Sequence, residues 1–341
     1  MKKSGIIPNS FSKRIIFNPL HLLRITSTLS VQFRRNISVD TNTNSLSDLS
    51  NWQHNLPKRK RHLQIRRVLL KNFFYFEDMI KALFFDIDGT LVSFNTHKIP
   101  DSTIQAIKQA KEKGIQVYIS TGRPFSLINN IDEISHLIDG YITVNGAYCF
   151  IGEQVISCSP IPVEDVLTLI QLADKMNFAC MVVGTTDIIM YNTNKKVDFI
   201  FRQMLNVKHL EEKNTIDSII QQPILQLTPV ITEEEEKQIM PLLSHSTSSR
   251  WYPDFADITA QHTDKAKGLR AIMQYQGLKR EETMAFGDGG NDISIVREAG
   301  IGVAMGNAND SLKAVADYIT ASVDDDGVYC ALKKWVFDAA E

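Results

Sequence analysis

Pairs of acidic residues that follow short apolar runs are the part of this sequence best suited to chemistry. Asp86 and Asp88 follow one such run and precede a Gly-Thr turn. In open α/β sheets, ligands bind outside the carboxyl ends of the strands. Two acids at such an end either bind a hard cation or divide the roles of nucleophile and proton donor between them. A DG turn capped by an unrelated acid is the alternative interpretation.

A second acidic segment, GDGGND at residues 287–292, also follows an apolar run and opens a predicted helix. It brings Asp288, Asn291 and Asp292 together with three glycines. This composition suits a backbone that lies close to a ligand, with carboxylates free to bind a cation. A glycine-rich turn with acids that cap a helix is the alternative interpretation.

Two further segments carry groups suited to an anion. Thr121, Gly122 and Arg123 follow a third apolar run. A hydroxyl, the amides of a turn and a guanidinium can together hold phosphate oxygens there. Lys265 lies at the predicted start of a helix, where a lysine is usually solvated. Taken singly, both segments are weak signals, because strand–helix turns and surface lysines are common.

The elements that must position these residues alternate between strand and helix, which is typical of a parallel sheet covered by helices. Short apolar runs predict buried strands at residues 81–86, 115–121, 141–144, 283–287 and 301–305. Helices are predicted at residues 102–113 and 265–276. The middle of the chain differs and predicts an inserted second α/β domain. Its predicted helices are residues 163–176, 197–205 and 233–243, and its strands are 179–183 and 188–191.

Composition limits the class of protein. The chain has 341 residues, of which 43% are hydrophobic and 22% charged, which excludes a wholly disordered chain. No uninterrupted apolar run reaches the roughly 18 residues that a membrane span requires. The 4 cysteines are scattered and favour a reducing compartment. We therefore predict a cytoplasmic protein without a membrane segment.

The charge is distributed unevenly along the chain. Residues 1–79 carry 14 Lys and Arg against 4 Asp and Glu, a net charge of +10, and the remainder carries 23 against 35, a net charge of −12. We expect residues 1–78 to be a basic leader that is disordered or not part of the native fold. An organellar transit peptide is one alternative, because the first 39 residues lack any acid. A nucleic-acid or localisation patch at residues 58–61 is the other.

In their order and spacing, the four chemical segments resemble the signature of the haloacid dehalogenase (HAD) superfamily of phosphatases. The resemblance is closest to the Cof-like branch, which carries an inserted α/β cap of the C2 type. Residues 144–147, 304–308 and 325–328 add to it. It implies a Rossmann-like α/β core with a parallel sheet at residues 79–150 and 259–341, and a cap at residues 151–258. The leader departs from the pattern, because such proteins usually begin at a position like Met79.

The resemblance also implies the catalytic roles. Asp86 would attack phosphorus and become an aspartyl-phosphate, and Asp88 would act as general acid and then as general base. Mg²⁺ would be bound by Asp86, by the backbone carbonyl of Asp88 and by Asp288. Asn291 and Asp292 would be outer-shell partners that orient these ligands or the lysine.

Substrate contacts are implied in the same way. Thr121 and Lys265 would bind the transferring phosphoryl group. Gly122, Arg123 and Asn145 would contact the substrate. Specificity is expected from the cap, although residues there such as Tyr252 and Asp257 are expected to be structural more often than functional.

The function implied is that of a Mg²⁺-dependent phosphomonoester hydrolase acting on a small metabolite, a sugar phosphate above all. A phosphomutase-type transferase acting on a hexose phosphate is an alternative, because phosphomannomutases share this core and cap type. A non-enzymatic phospho-accepting signalling domain is a weaker alternative, since receiver domains lack a large cap. The expected partner is a small-molecule phosphate ester, with neither nucleic acid nor membrane for the core. The sequence predicts nothing about oligomeric state.

Overall fold

The computed structural model describes residues 80–204 and 210–338. The predicted leader at residues 1–78 lies outside these residues. Within them the strands form two sheets, one of eight strands and one of six. No helix in these ranges is both long enough and apolar enough to cross a membrane.

Fourteen strands follow one another along the described residues, and their bounds are as follows. They are β1 (Ala82–Phe85), β2 (Gln116–Ser120), β3 (Gly140–Thr143), β4 (Tyr148–Ile151), β5 (Gln154–Cys158), β6 (Cys180–Gly184), β7 (Ile188–Tyr191), β8 (Glu211–Lys213), β9 (Ile224–Pro229), β10 (Ser246–Tyr252), β11 (Phe255–Ala260), β12 (Thr283–Gly287), β13 (Ile301–Ala304) and β14 (Tyr318–Ile319).

Eight α-helical segments accompany the strands in the same ranges. They are α1 (Asp101–Glu112), α2 (Val163–Met176), α3 (Lys195–Val197), α4 (Glu233–Ile239), α5 (Lys265–Gln276), α6 (Ile293–Glu298), α7 (Asp310–Lys313) and α8 (Gly327–Leu332). Helix α5 begins where the Asp264 side chain accepts a hydrogen bond from the Lys267 N–H, and it ends at Gly277 in the left-handed conformation.

The eight-stranded sheet has the order β14-β13-β12-β1-β2-β3-β4-β5. Its pairs from β14 to β3 are parallel, and β4 and β5 add an antiparallel edge. The register aligns Phe85 of β1 with Ile119 of β2 and with Phe286 of β12. The carboxyl ends of these three strands therefore meet at one edge of the sheet, so the predicted α/β fold class is confirmed.

Strand β1 is buried on both faces, as its apolar sequence predicts. All four of its residues are fully buried. Phe84 stacks on Tyr118 of β2, with ring centroids 4.9 Å apart, and Phe85 stacks on Phe286 of β12 at 4.7 Å. Each such side chain removed from water contributes about 1.5–3 kcal/mol. The strand that carries the first acidic pair is therefore the rigid centre of this layer.

The six-stranded sheet has the order β10-β11-β9-β6-β7-β8 and is antiparallel except between β7 and β8. Val166 and Leu169 of α2 share an apolar cluster with Val182 and Leu227 on one face. The other face holds a second apolar cluster. It includes Met181, Val183, Val197, Phe201 and Phe255, with Leu127 packed against it.

Two of the predicted middle helices differ from those observed. The helix predicted at residues 197–205 is present, but only its start is α-helical: the α-helix ends at Val197 and wider π-helical turns follow at Asp198–Met204. The helix predicted at residues 233–243 ends as an α-helix at Ile239 and tightens into a 3-10 turn. Pro241 explains the change, because it has no N–H to donate to the preceding turn.

Hydrogen bonding assigns the strands at the predicted domain boundaries. Strand β5 pairs with β4 in the eight-stranded sheet, and β11 pairs with β9 and β10 in the six-stranded sheet. The division into a core at residues 79–150 and 259–341 and a cap at residues 151–258 stays a prediction. Cys149, Cys158, Cys180 and Cys330 are all free thiols.

Candidate active site

The acidic cluster at the carboxyl ends of β1 and β12 is built around a buried lysine. Lys265, the first residue of α5, is fully buried, which excludes the alternative of a solvated surface lysine. Its Nζ donates to Asp86 Oδ1 and to Asp292 Oδ1, both at 2.6 Å. A buried ammonium needs such partners, because an unpaired one costs several kcal/mol. The lysine therefore joins the first acidic segment to the second.

The side chain of Asp292 is fully engaged in hydrogen bonds within the protein. Its Oδ1 accepts from Lys265, and its Oδ2 accepts from the backbone N–H groups of Asp288 and Gly289 at 3.1 and 3.0 Å. Both oxygens are thus in use, and the carboxylate is fully buried. The predicted outer-shell role of Asp292 stays a prediction.

Three carboxylates lie close enough to hold a cation. Ligand oxygens of Asp86, Asp288 and Asp292 lie within 4.8 Å of one another. Because Asp292 has both oxygens engaged, the available oxygens belong mainly to Asp86 and Asp288. An anionic donor set made of oxygen alone suits Mg²⁺, so these residues fit the predicted metal. The contribution of the Asp88 carbonyl stays a prediction.

Burial, together with nearby like charges, shifts the pKa values of the acids in this cluster. Burial raises the pKa of Asp288 to about 7, and the neighbouring Asp292 and Asp88 add to the effect while Lys265 opposes it. Burial also raises the pKa of Asp86 well above its usual range, against the attraction of Lys265. Burial lowers the pKa of Lys265, but attraction to Asp292 and Asp86 outweighs this and the pKa is raised. Added positive charge would relieve this repulsion.

Asp88 has different surroundings from Asp86. Arg123 Nε donates to Asp88 Oδ2 at 2.8 Å, and Nη2 donates to Oδ1 at 2.7 Å, which is a bidentate pair. The remaining guanidinium nitrogen, Nη1, donates to the carbonyl of Leu127 at 3.2 Å and to Asn129 Oδ1 at 3.0 Å. Arg123 therefore has partners within the protein, and its predicted contact with substrate stays a prediction.

Thr121, Gly122 and Asn145 lie together beside the cluster. Thr121 is buried, and its hydroxyl accepts from the Arg123 N–H at 3.1 Å. A Cβ added to Gly122 would lie 3.1 Å from Asn145 Oδ1, so only glycine leaves this approach free of crowding. Asn145 Oδ1 also accepts from Asn291 Nδ2 at 3.1 Å, which links the threonine loop to the second acidic segment.

The turn that carries Asn145 is strained. Val144 and Asn145 have φ angles of 52° and 50°, a left-handed conformation that is rare for a β-branched residue. Each such residue costs on the order of 1–3 kcal/mol. The Val144 N–H donates to the Arg123 carbonyl and stabilises the turn. Gly146 packs tightly against the start of α5, because a Cβ added to it would lie 2.0 Å from the Asp264 carbonyl oxygen. Sequence reasoning missed this strain, although the Asn-Gly pair is a turn signal.

Sequence reasoning also missed the role of Asn307. Its Nδ2 donates to the Gly89 carbonyl at 2.8 Å, and its Oδ1 accepts from the Val323 N–H at 2.9 Å. The only sequence signal for it was its place in the segment 304–308. The side chain braces the turn that follows the first acidic pair.

The two cap residues named from the sequence lie within the six-stranded sheet. Asp257 Oδ1 accepts from Gln226 Nε2 and from Thr228 Oγ1, both at 2.8 Å. The Tyr252 ring stacks on Phe255, with centroids 5.5 Å apart. Both residues make contacts inside the sheet, and the structural role expected of them stays a prediction.

Fold and site together define a class. In this parallel sheet, adjacent strand ends bring together an Asp-x-Asp pair, a buried lysine and a second acidic loop. This is the arrangement of an aspartate-dependent phosphoryl-transfer enzyme. Residues 83–332 match the family of haloacid dehalogenase-like hydrolases, and the chain belongs to this family. The resemblance to Cof-like HAD phosphatases is thereby confirmed, and the protein is a HAD-type phosphatase.

Three similar proteins illustrate the range of the family. The 5-amino-6-(5-phospho-D-ribitylamino)uracil phosphatase YcsE of Bacillus subtilis is 30% identical over 75% of this chain and 96% of its own length. The pyridoxal phosphate phosphatase YbhA of Escherichia coli is 28% identical over 73% and 96%. A solved sugar phosphatase of HAD subclass IIB is 49% identical, covers 75% of this chain and 99% of its own, and has a TM-score of 0.69.

Proposed function

We propose that this protein is a Mg²⁺-dependent phosphomonoester hydrolase that acts on sugar phosphates through an aspartyl-phosphate on Asp86. The observation that carries the proposal is the pair formed by Lys265 Nζ and Asp86 Oδ1, 2.6 Å apart and buried at the end of β1. The pair holds one carboxylate oxygen and leaves the other, Oδ2, for attack on phosphorus. A cytoplasmic location and the absence of a nucleic-acid partner stay predictions.

The chain's own groups supply the nucleophile and the charge that steadies the phosphoryl group. Asp86 forms the new P–O bond as the bond to the leaving oxygen breaks. Lys265 and the Thr121 hydroxyl bind the equatorial oxygens, which carry the transition-state charge. Mg²⁺ held by Asp86, the Asp88 carbonyl and Asp288 would neutralise the carboxylates and the phosphate dianion.

Asp88 would move the protons. It donates a proton to the leaving oxygen, and it then accepts one from the water that attacks the aspartyl-phosphate. The bidentate contact with Arg123 occupies both carboxylate oxygens of Asp88. At least one of these hydrogen bonds must therefore break before Asp88 can donate a proton. Arg123 thus positions Asp88 before the reaction.

The space beside the site supports a neutral leaving group. A cavity of about 260 Å³ is lined by residues 124–126, which follow Arg123 in the chain, and extends to residues of the six-stranded sheet. Its lining includes neither Asp86 nor Lys265, and every one of its side chains is uncharged. Hydroxyls of Ser126, Thr185 and Thr186 lie among them. Such a lining suits a polyhydroxylated group and supports the sugar-phosphate class.

The test is phosphate release from a hexose 6-phosphate. With Mg²⁺ we expect turnover, and with excess chelator or with Asp86→Asn we expect only background release. The matched control is Asp174→Asn, since Asp174 lies in α2 and binds Tyr191 in the six-stranded sheet. Recovery of an isomeric hexose phosphate instead of free sugar would identify a phosphomutase and overturn the proposal.

A further inference from the structure

Phe94 is exposed at the edge of the acidic cluster. It exposes 61% of its surface, the largest fraction among the large apolar side chains of the described residues. A Cβ added to Gly89 would lie 2.7 Å from Phe94 Cε2 and 2.2 Å from Asp288 Oδ2. The ring and the carboxylate therefore border the same point above the catalytic turn, so Phe94 lies at the mouth of the site.

The loop that carries Phe94 is fixed by hydrogen bonds on both sides of it. Ser93 Oγ accepts from the N–H groups of Asn95 and Thr96 at 3.0 and 3.2 Å, and the Ser93 N–H donates to the Lys98 carbonyl at 3.0 Å. The Asn95 side chain donates to Asp324 Oδ2 at 2.7 Å. An exposed aromatic ring on a loop that is already fixed can bind a ligand without the entropic cost of ordering the backbone.

The same brace reaches the catalytic turn. The Gly89 N–H donates to the Val92 carbonyl at 2.9 Å, and Asn307 binds both the Gly89 carbonyl and the N–H of Val323, next to Asp324. Thus the segment around Val323 and Asp324 holds both Gly89 and the loop of Phe94. This gives a role to the segment 304–308, which the proposed catalytic steps leave unused.

We infer that Phe94 is a specificity-determining residue that packs against the apolar C–H face of the leaving group. The inference rests on the proposed function, since it places the phosphate of the ester at Asp86. A sugar presents apolar C–H faces between its hydroxyls, and an aromatic ring offers a large contact area with few rotatable bonds.

The test compares the effect of one substitution on two substrates, one with a leaving group large enough to cover the Phe94 ring and one with a leaving group too small to do so. For Phe94→Ala we expect kcat/KM for a hexose 6-phosphate to fall about tenfold, the effect of a lost aromatic contact. Turnover of acetyl phosphate, whose leaving group is too small to cover the ring, should stay within about twofold. Phe94→Tyr should restore the hexose phosphate value. Tyr275→Ala is the matched control, since Tyr275 is 56% exposed at the far end of α5 from Lys265.

Two outcomes would overturn the inference. One is an equal loss on both substrates, which would assign Phe94 to the loop or to contact with the six-stranded sheet. The other is an unchanged hexose phosphate value. Calorimetric binding of hexose 6-phosphate and of orthophosphate to Asp86→Asn, with and without Phe94→Ala, separates this inference from the proposed hydrolysis. We expect Phe94→Ala to raise the Kd of the sugar phosphate and to leave that of orthophosphate unchanged, whether or not the bound ester is hydrolysed.

Discussion

Asp86 and Asp88 are two residues apart, yet their surroundings divide their chemistry. The Asp86 side chain is 9% exposed and paired with the ammonium of Lys265, whereas the Asp88 side chain is 34% exposed and bound by the guanidinium of Arg123. Two titratable groups in such different environments commonly take different roles in one reaction. In the proposed mechanism, the nucleophile Asp86 is the more buried of the two acids, and the proton carrier Asp88 is the more exposed.

Substitution of each acid should therefore have a different consequence. Asp86→Asn removes the attacking oxygen, so turnover should fall to background with every substrate. Asp88→Asn should lose about 10²–10⁴-fold with a hexose 6-phosphate, whose alkoxide needs the proton. Formation of the phosphoenzyme from p-nitrophenyl phosphate should suffer much less, because p-nitrophenolate leaves without protonation. Single-turnover phosphorylation of both variants with both substrates measures this.

The outcome is informative in both directions. Because breakdown of the intermediate also needs a base, the phosphoenzyme should accumulate in Asp88→Asn with p-nitrophenyl phosphate. Equal defects of Asp88→Asn with the two leaving groups, or phosphoenzyme in Asp86→Asn, would show that the roles are assigned wrongly.

Asp288 should make metal binding depend on pH. Its pKa of about 7 lies above the usual value, so the folded chain binds more protons than the unfolded chain between about pH 4 and pH 7. Its unfavourable contribution is fully present above that window, and stability of the metal-free protein should rise as the pH falls through it. Because the proton and Mg²⁺ compete, the rise in Tm on adding Mg²⁺ should be larger near pH 8 than near pH 6.

Calorimetric scans with and without Mg²⁺ at both pH values measure this effect. Asp288→Asn is the appropriate comparison, since it removes the titrating carboxylate and should remove most of the difference between the two pH values. A Tm increase that is independent of pH in the unaltered chain would contradict the assignment of Asp288 as a metal ligand.

At the scale of elements, the sequence predicted the strands that carry the site. The apolar runs that end at Asp86 and at Gly287 are buried on both faces, and this requirement leaves a strong local signal. The contact between Arg123 and Asp88 has no local sequence signal, because it joins residues 35 apart in the chain that the pairing of β1 with β2 brings together. The left-handed turn at Val144 is likewise imposed by distant contacts rather than by local preference.

Helix α5 offers a test of how an element positions a residue. A Cβ added to Gly268 would lie 2.4 Å from Ile142 Cγ2 and 3.0 Å from Cys149 Sγ, so the helix packs closely on β3 and β4. Alanine in mid-helix is normally favoured over glycine by about 0.5–1 kcal/mol. Here Gly268→Ala should instead destabilise by about 1–3 kcal/mol through overpacking. It should also lower kcat, because Lys265 lies one turn away.

Urea unfolding and steady-state kinetics of Gly268→Ala measure the two effects. Tyr275→Ala in the same helix is the control, because its side chain is exposed and its loss should change stability little. A gain in stability for Gly268→Ala would mean that α5 can shift without cost, and the proposed link between its packing and Lys265 would be lost.

At the scale of the whole molecule, the change from a basic to an acidic segment falls close to the start of the family match. The family match begins at residue 83, and Ile80, the first residue that the structure describes, already belongs to the apolar core cluster of the eight-stranded sheet. Lys81 then joins β1 to β12 through its N–H, which donates to the Glu282 carbonyl at 2.7 Å, and through its ammonium on the Glu282 carboxylate. We therefore predict that the contacts of the described residues are sufficient to position the acidic cluster.

A chain that begins at Met79 should consequently keep the kcat/KM of the full chain, and its Tm should lie within about 2 °C, a shift that corresponds to less than about 1 kcal/mol for a domain of this size. The full chain, with ten more basic than acidic residues in its first 79, should bind an anionic resin more strongly at low salt. Scanning calorimetry and hexose 6-phosphate kinetics on both chains provide the measurement. A shortened chain that aggregates or loses stability would show that residues 1–78 form part of the fold. Equal stability but lost turnover would instead give the basic segment a part in catalysis.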